Sequence, residues 1–173
     1  MKPGAIGFAR TRGIMGKLIR LGSWLRFRRD EWNHCFIVSD EVDSDGHPLV
    51  IQATLRGVTG TARLDSVAPG GQYVTMAMPS YIRLDDVVRF AKAQVGDPYG
   101  LGTILAIAVD VVTWNWFPSF RGSRKNSWVC SGLSCESLRF GGWFHNWTGI
   151  YTIFPQQAYD ALMSDGWSVE LSS

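Results

Sequence analysis

Trp128-Val129-Cys130-Ser131-Gly132-Leu133 reads as the opening of a helix with a cysteine in its first turn. A helix start offers unpaired backbone N–H groups and a partial positive charge. Both favour thiolate over thiol, and thiolate is the reactive form of cysteine. A second stretch, Asn33-His34-Cys35-Phe36-Ile37-Val38, places a histidine at the start of an apolar strand. A cysteine nucleophile on a helix and a histidine base on a strand together point to an enzyme, carried on an α+β scaffold.

Around these two anchors the remaining elements fall into place. Gly4 to Ala9 reads as a strand, and about Gly13 to Leu25 as a helix with Ile14, Leu18, Leu21 and Leu25 near helical spacing. Asn33 to Ser39 and Leu49 to Thr54 form a hairpin across the turn Asp43-Ser44-Asp45-Gly46-His47-Pro48. Tyr73 to Met78 is a further strand. A helix over about Leu84 to Val95 carries the stripe Leu84, Val87, Val88, Ala91 and Val95, with Gly96 as its stop. An apolar helix from Leu101 to about Val112 follows the turn at Gly96 to Gly100, and a loop covers Trp114 to Asn126. Cys130 to Phe140 is a helix ended by Gly141-Gly142. Gln156 to Met163 is a short helix, and Trp167 to Leu171 a last strand. Strands in the first half and helices mostly in the second predict a small antiparallel sheet packed against helices.

At 173 residues the chain reads as one domain, and 46% apolar with 18% charged residues describes a globular protein. A net charge of +2 is too small to argue for nucleic acid. Arg10, Arg12, Lys17, Arg20, Arg26, Arg28 and Arg29 nevertheless crowd one segment. They form either a solvated helix face or a contact for anionic lipid, teichoic acid or nucleic acid. Three cysteines without paired spacing argue against a disulfide framework and for a reducing compartment. Met1 to Gly4 leads into a mixed segment with no secretory pattern, so a cytoplasmic location is the default expectation. Asp110 interrupts the apolar run Leu101 to Phe117, which is short for a membrane span; it reads as a buried or groove-lining helix, or a peripheral membrane contact.

Among the cysteines, Cys35 directly follows His34 on a strand, so the two side chains point to opposite faces. Its apolar neighbours give it a core role. Cys135 lies mid-helix, where the dipole is weaker. Cys130 is the candidate nucleophile, against the alternative of an inert buried thiol. Among the histidines, His47 sits in a solvated turn and His145 follows Cys130 too closely for an easy return. His34 is the candidate base, against the alternative of a satisfied structural histidine. A histidine base needs a third group to orient its ring. Gln52, inside Leu49-Val50-Ile51-Gln52-Ala53, would sit beside His34 on the adjacent strand and hold its tautomer; otherwise it is an exposed edge glutamine. No metal site is expected: Cys130 and Cys135 on one helix suit tetrahedral ligation poorly.

These segments resemble the NlpC-type papain-like cysteine peptidases. Val129-Cys130-Ser131-Gly132-Leu133 is similar to their nucleophile motif, and Gly96-Asp97-Pro98-Tyr99 to their Gly-x-Pro-Tyr segment. Here the histidine precedes the cysteine. That order resembles the circularly permuted branch, which includes relatives of lecithin–retinol acyltransferase and bacterial YiiX-like proteins. Pro3 to Phe8 is similar to the opening strand of that branch, Asn33 to Val38 to its Asn-His-x-x-Ile-Val strand, and Val50 to Ala53 with Gly57-Val58 to its next hairpin. Gln52 stands where a glutamate often occurs. The likeness spans Pro3 to about Phe140.

The resemblance implies a permuted papain-like fold and thiol-based acyl chemistry without a cofactor. Cys130 would be nucleophile, His34 base and Gln52 orienter. Tyr99, Trp128 and Ser131 would serve the oxyanion and the substrate. The implied partners are a peptide, amide or acyl-lipid substrate, with peptidoglycan stem peptides first, and a peripheral membrane or cell-wall contact. A phage-encoded or otherwise delivered protein would reconcile a wall substrate with the missing export signal. Two rivals stand beside hydrolysis: an acyltransferase, and a non-catalytic lipid- or wall-binding protein on the same fold. Trp114, Trp116, Trp143 and Trp147 either line a groove with Trp128 or pack the core.

Overall fold

The computed structural model describes residues 2–69, 72–102, 127–144 and 153–172. The expectations for Asp110, Trp114, Trp116, His145, Trp147 and the 103–126 segment lie outside them. In chain order the elements are β1 (Ile6–Arg10), α1 (Ile14–Phe27), β2 (His34–Val42), β3 (Pro48–Thr54), β4 (Gly57–Arg63), β5 (Gln72–Ala77), α2 (Leu84–Ala93), α3 (Cys130–Phe140), α4 (Pro155–Ser164) and β6 (Ser168–Ser172). The six strands form one antiparallel sheet in the order β4-β3-β2-β1-β5-β6. This is an α+β architecture.

β2 lies inside the sheet and is apolar on both faces because both faces are covered. Cys35 and Ile37 point into the main core with Phe8, Ile51, Val87, Cys130 and Leu133. Phe36 and Val38 point into a second cluster, closed by Leu64, Val67 and Ala68 just past β4. A two-sided strand reads as a continuous apolar run rather than an alternation, as Cys35-Phe36-Ile37-Val38 does. Gly7 on β1 is required here, since a Cβ at that position would lie 2.0 Å from the Phe36 ring.

α3 is the central helix. Every residue from Cys130 to Leu138 is buried, including Glu136, which is paired with Arg139 at 2.9 Å. α2 packs beside it with Val87, Val88 and Ala91 inward. Asp85 and Asp86 in the first turn of α2 and Lys92 in the last suit the helix dipole. Val95, expected on the same stripe, lies beyond the helix and is exposed. α1 departs further from expectation. Its packed face is made by Gly16 and Ser23, while Ile14, Leu18, Leu21 and Leu25 face outward. Small residues let the helix backbone approach closely, and the larger apolar side chains are left on the far side. Among the described residues no helix is long and apolar enough to cross a membrane.

One turn carries the fold toward the site. Gly57 adopts φ +106°, and a Cβ there would come within 2.7 Å of the Asp97 carbonyl. Glycine therefore lets β4 meet the turn before Tyr99. Val58 N–H donates to the Asp97 carbonyl at 2.9 Å, and Gly96 N–H to the Val58 carbonyl at 3.0 Å. Tyr99 then pairs with Trp128 in a short parallel bridge, two residues before Cys130.

Candidate active site

Cys130 is the first residue of α3. The N-cap, Val129, contributes no side-chain hydrogen bond, and no acidic residue lies in the first turn. The dipole and the first-turn N–H groups of α3 are therefore unopposed by side-chain caps or local negative charge.

His34 opens β2, opposite Ala9 of β1. β2 and β3 pair Ile37 with Ile51 and Val38 with Val50. Continuing that register puts His34 and Gln52 on one face as diagonal neighbours, within reach of long side chains. His34 Nε2 and Gln52 Oε1 lie 2.6 Å apart. The amide oxygen only accepts, so Nε2 carries a proton and Nδ1 is left for another partner. Cys130 is close enough for each group to shift the titration of the other. The structure thus brings Cys130, His34 and Gln52 together in one chain of contacts.

The electrostatics follow. The Cys130 thiol is held well below its ordinary 9.0. A hydrogen bond from the Cys35 thiol is the largest influence. Burial opposes it, and His34 and the Cys35 backbone N–H add to the lowering. Burial pulls His34 down from 6.5, but the charge of Cys130 and hydrogen bonds to Cys130 and Gln52 outweigh it, so its pKa is raised. The two shifts are complementary: each partner favours the charged form of the other. Burial pushes Cys135 and Cys35 upward, so both remain thiols.

Cys35 is the residue that sequence reasoning undervalued. Strand alternation correctly turns it away from the face of His34, into the main core. That core also holds Cys130, and the two thiols shift each other's titration. Asn33 was visible only as part of a motif. Buried, it accepts from the Thr11 N–H at 2.8 Å and the Thr11 hydroxyl at 3.0 Å, and donates to the Thr11 carbonyl at 2.9 Å. It ties the exit of β1 to the start of β2, and so fixes the backbone that bears His34.

Tyr99 is partly buried against the main core. Burial first, then the charges of Cys130 and Cys35, drive its phenol pKa upward, so it stays a neutral O–H donor near the thiol. Trp128 is buried. Its indole stands edge-on to Phe90, and its Nε1 donates to Asp97 Oδ2 at 3.0 Å. This makes it a packing residue that holds the Tyr99 turn against α3. Trp143 likewise packs in the core against Trp167. Ser131 follows Cys130 in the first turn of α3. Its hydroxyl is buried and donates to the Ile153 carbonyl, which anchors the start of α3. His47 is exposed in its turn, with its backbone N–H donating to Asp43 at 2.9 Å. Among the described residues, no group of three or more His, Cys, Asp or Glu is placed to hold a metal ion.

The chain matches no protein-family model and no curated protein.

Proposed function

We propose that this protein is a thiol hydrolase that cleaves an amide or peptide bond through an acyl-enzyme, on a circularly permuted papain-like fold. The observation that carries this reading is Cys130 at a side-chain-uncapped helix start, electrostatically coupled to a histidine whose Nε2 lies 2.6 Å from Gln52 Oε1. A structural core cysteine has no need of these arrangements, and each of them activates a nucleophile.

His34 Nδ1 holds the proton released by Cys130, giving thiolate and imidazolium. The sulfur attacks the carbonyl carbon, and the electron pair moves to the oxygen. The Cys130 backbone N–H and the Tyr99 hydroxyl are the donors for that oxyanion. Losing one such donor costs roughly 2.7–4 kcal/mol of barrier. The tetrahedral intermediate collapses as the imidazolium gives its proton to the leaving amine, leaving a thioester on Cys130. Water, deprotonated by His34, then attacks the thioester and releases the acid. Peptide amides of the cell-wall stem type are the substrate class that the resemblance favours.

The test is to incubate the protein with p-nitrophenyl acetate and follow intact mass. A transient gain of one acetyl group on Cys130, absent in Cys130→Ala and slowed in His34→Ala, supports the reading. No acylation, with slow and equal iodoacetamide labelling of the three cysteines, would overturn it.

A further inference from the structure

The outward face of α1 gathers exposed large apolar side chains on one helix. Ile14 is 80% exposed, Leu18 56%, Leu21 53% and Leu25 39%, and Trp24 beside them is 44% exposed. Their spacing puts the four aliphatic residues on one ridge along the helix. Gly16 and Ser23, on the opposite side, are the residues that α1 buries. The ridge therefore faces away from both cores.

Charge surrounds the ridge. From Arg10 to Arg29 there are seven basic residues and no acidic one. Arg20 is paired with Asp30 at 2.7 Å and Arg29 with Asp160 at 2.9 Å. Arg12, Lys17, Arg26 and Arg28 are exposed. The Arg28 guanidinium lies 4.8 Å from the Trp24 ring centroid, which places an aromatic and a cation at the ridge border.

We propose that α1 is a docking helix for an anionic lipid surface, lying in the interface with Ile14, Leu18, Leu21 and Leu25 toward the acyl chains. An apolar ridge with a basic margin and a tryptophan at its edge is the pattern of a helix that lies in a membrane interface. The bilayer satisfies both parts at once: hydrocarbon for the ridge and phosphate for the margin. A second copy of the chain would cover the ridge, but a two-fold interface would set the same basic margin against itself. Nucleic acid would meet the cations and leave the ridge wet. The proposal is independent of the thiol chemistry and stands or falls separately from it.

Flotation of the full chain with vesicles tests this. The probes are phosphatidylcholine alone and phosphatidylcholine with about 30 mol % phosphatidylglycerol. The expected result is at least about tenfold more protein bound to the anionic vesicles, lost as salt rises from about 0.1 M to about 1 M and the Debye length shrinks. Leu18→Glu with Leu21→Glu should abolish binding while circular dichroism is unchanged, since both side chains are exposed. Arg26→Glu with Arg28→Glu should remove the preference for anionic vesicles. Leu55→Glu, at an exposed apolar residue in the β3–β4 turn, should leave binding intact. Equal binding to both vesicles, or none, would overturn the proposal. So would a concentration-dependent dimer in sedimentation that Leu18→Glu dissociates, because the ridge would then belong to self-association.

Discussion

His34 Nε2 stands 2.6 Å from Gln52 Oε1, across two neighbouring strands. A carbonyl oxygen at that nitrogen favours the tautomer with Nε2 protonated and leaves Nδ1 for a second partner. Gln52→Ala frees the ring and leaves Nε2–H without its acceptor. A hydrogen bond to a charged group is worth about 1.5–3 kcal/mol, so iodoacetamide labelling of Cys130 at neutral pH should slow by about tenfold or more. Gln52→Glu should act in the other direction. A carboxylate beside the imidazolium raises its pKa by about one unit or more, and should move the alkaline limb of acyl transfer upward by that amount. Stopped-flow rates across pH measure both effects.

The pH dependence of Cys130 should report its two neighbours. Its pKa is lowered, so thiolate forms as pH rises through a midpoint below the ordinary 9.0. The pKa of His34 is raised above 6.5, so imidazolium persists beyond that value and is then lost. Alkylation, which needs only thiolate, should rise once and stay high. Acyl transfer, which also needs the imidazolium proton, should fall again at high pH, with apparent midpoints that belong to the coupled pair. Cys35→Ala removes the strongest stabiliser of the thiolate and should shift the alkylation midpoint upward. Cys35→Ser keeps a donor and should shift it less. A midpoint indifferent to Cys35 would show that His34 and the helix end suffice.

Much of this arrangement was legible because it rests on local rules. Alternation alone puts Val50 and Gln52 on one face and turns Cys35 away from His34. The capless start of α3 is visible in Trp128-Val129-Cys130, and α3 runs from Cys130 to Phe140, as its sequence reads. What was not legible depends on what covers a face. Ile14, Leu18, Leu21 and Leu25 have helical spacing, but spacing does not say whether the apolar side faces inward. The small residues Gly16 and Ser23 decided it, through close approach. Composition does not mark β4 as a strand, because Gly57-Val58-Thr59-Gly60-Thr61-Ala62-Arg63 mixes glycine with threonine; pairing with β3 makes it one. The contact of Cys35 with Cys130 is long-range, and no sequence window spans it.

Tyr99 should separate oxyanion stabilisation from thiol reactivity. Its phenol stays protonated because burial and nearby charge drive its pKa upward. Tyr99→Phe removes the donor and little volume. Acetyl transfer from p-nitrophenyl acetate should drop by about 10²–10³-fold if the hydroxyl serves the oxyanion. Iodoacetamide labelling, which forms no oxyanion, should hardly change. A parallel loss of both rates would assign Tyr99 to packing of the turn against Trp128.

Asn33 should be costly to replace although it touches neither the sulfur nor the imidazole. Its amide makes three hydrogen bonds to Thr11, all at one buried junction between β1 and β2. Asn33→Ala leaves the Thr11 N–H and C=O without these partners, a loss of about 2–3 kcal/mol. For a domain of this size that corresponds to a fall in Tm of about 4–12 °C, read by calorimetry. Asn33→Asp keeps the acceptor for the Thr11 N–H and hydroxyl but sets a carboxylate oxygen against the Thr11 carbonyl at a buried position, so its loss should be at least as large. Because His34 is the next residue, the same variants should slow Cys130 labelling in the same order, measured well below Tm so that folding does not intervene. A large Tm loss with normal labelling would show that the start of β2 holds His34 in place without the Thr11 junction.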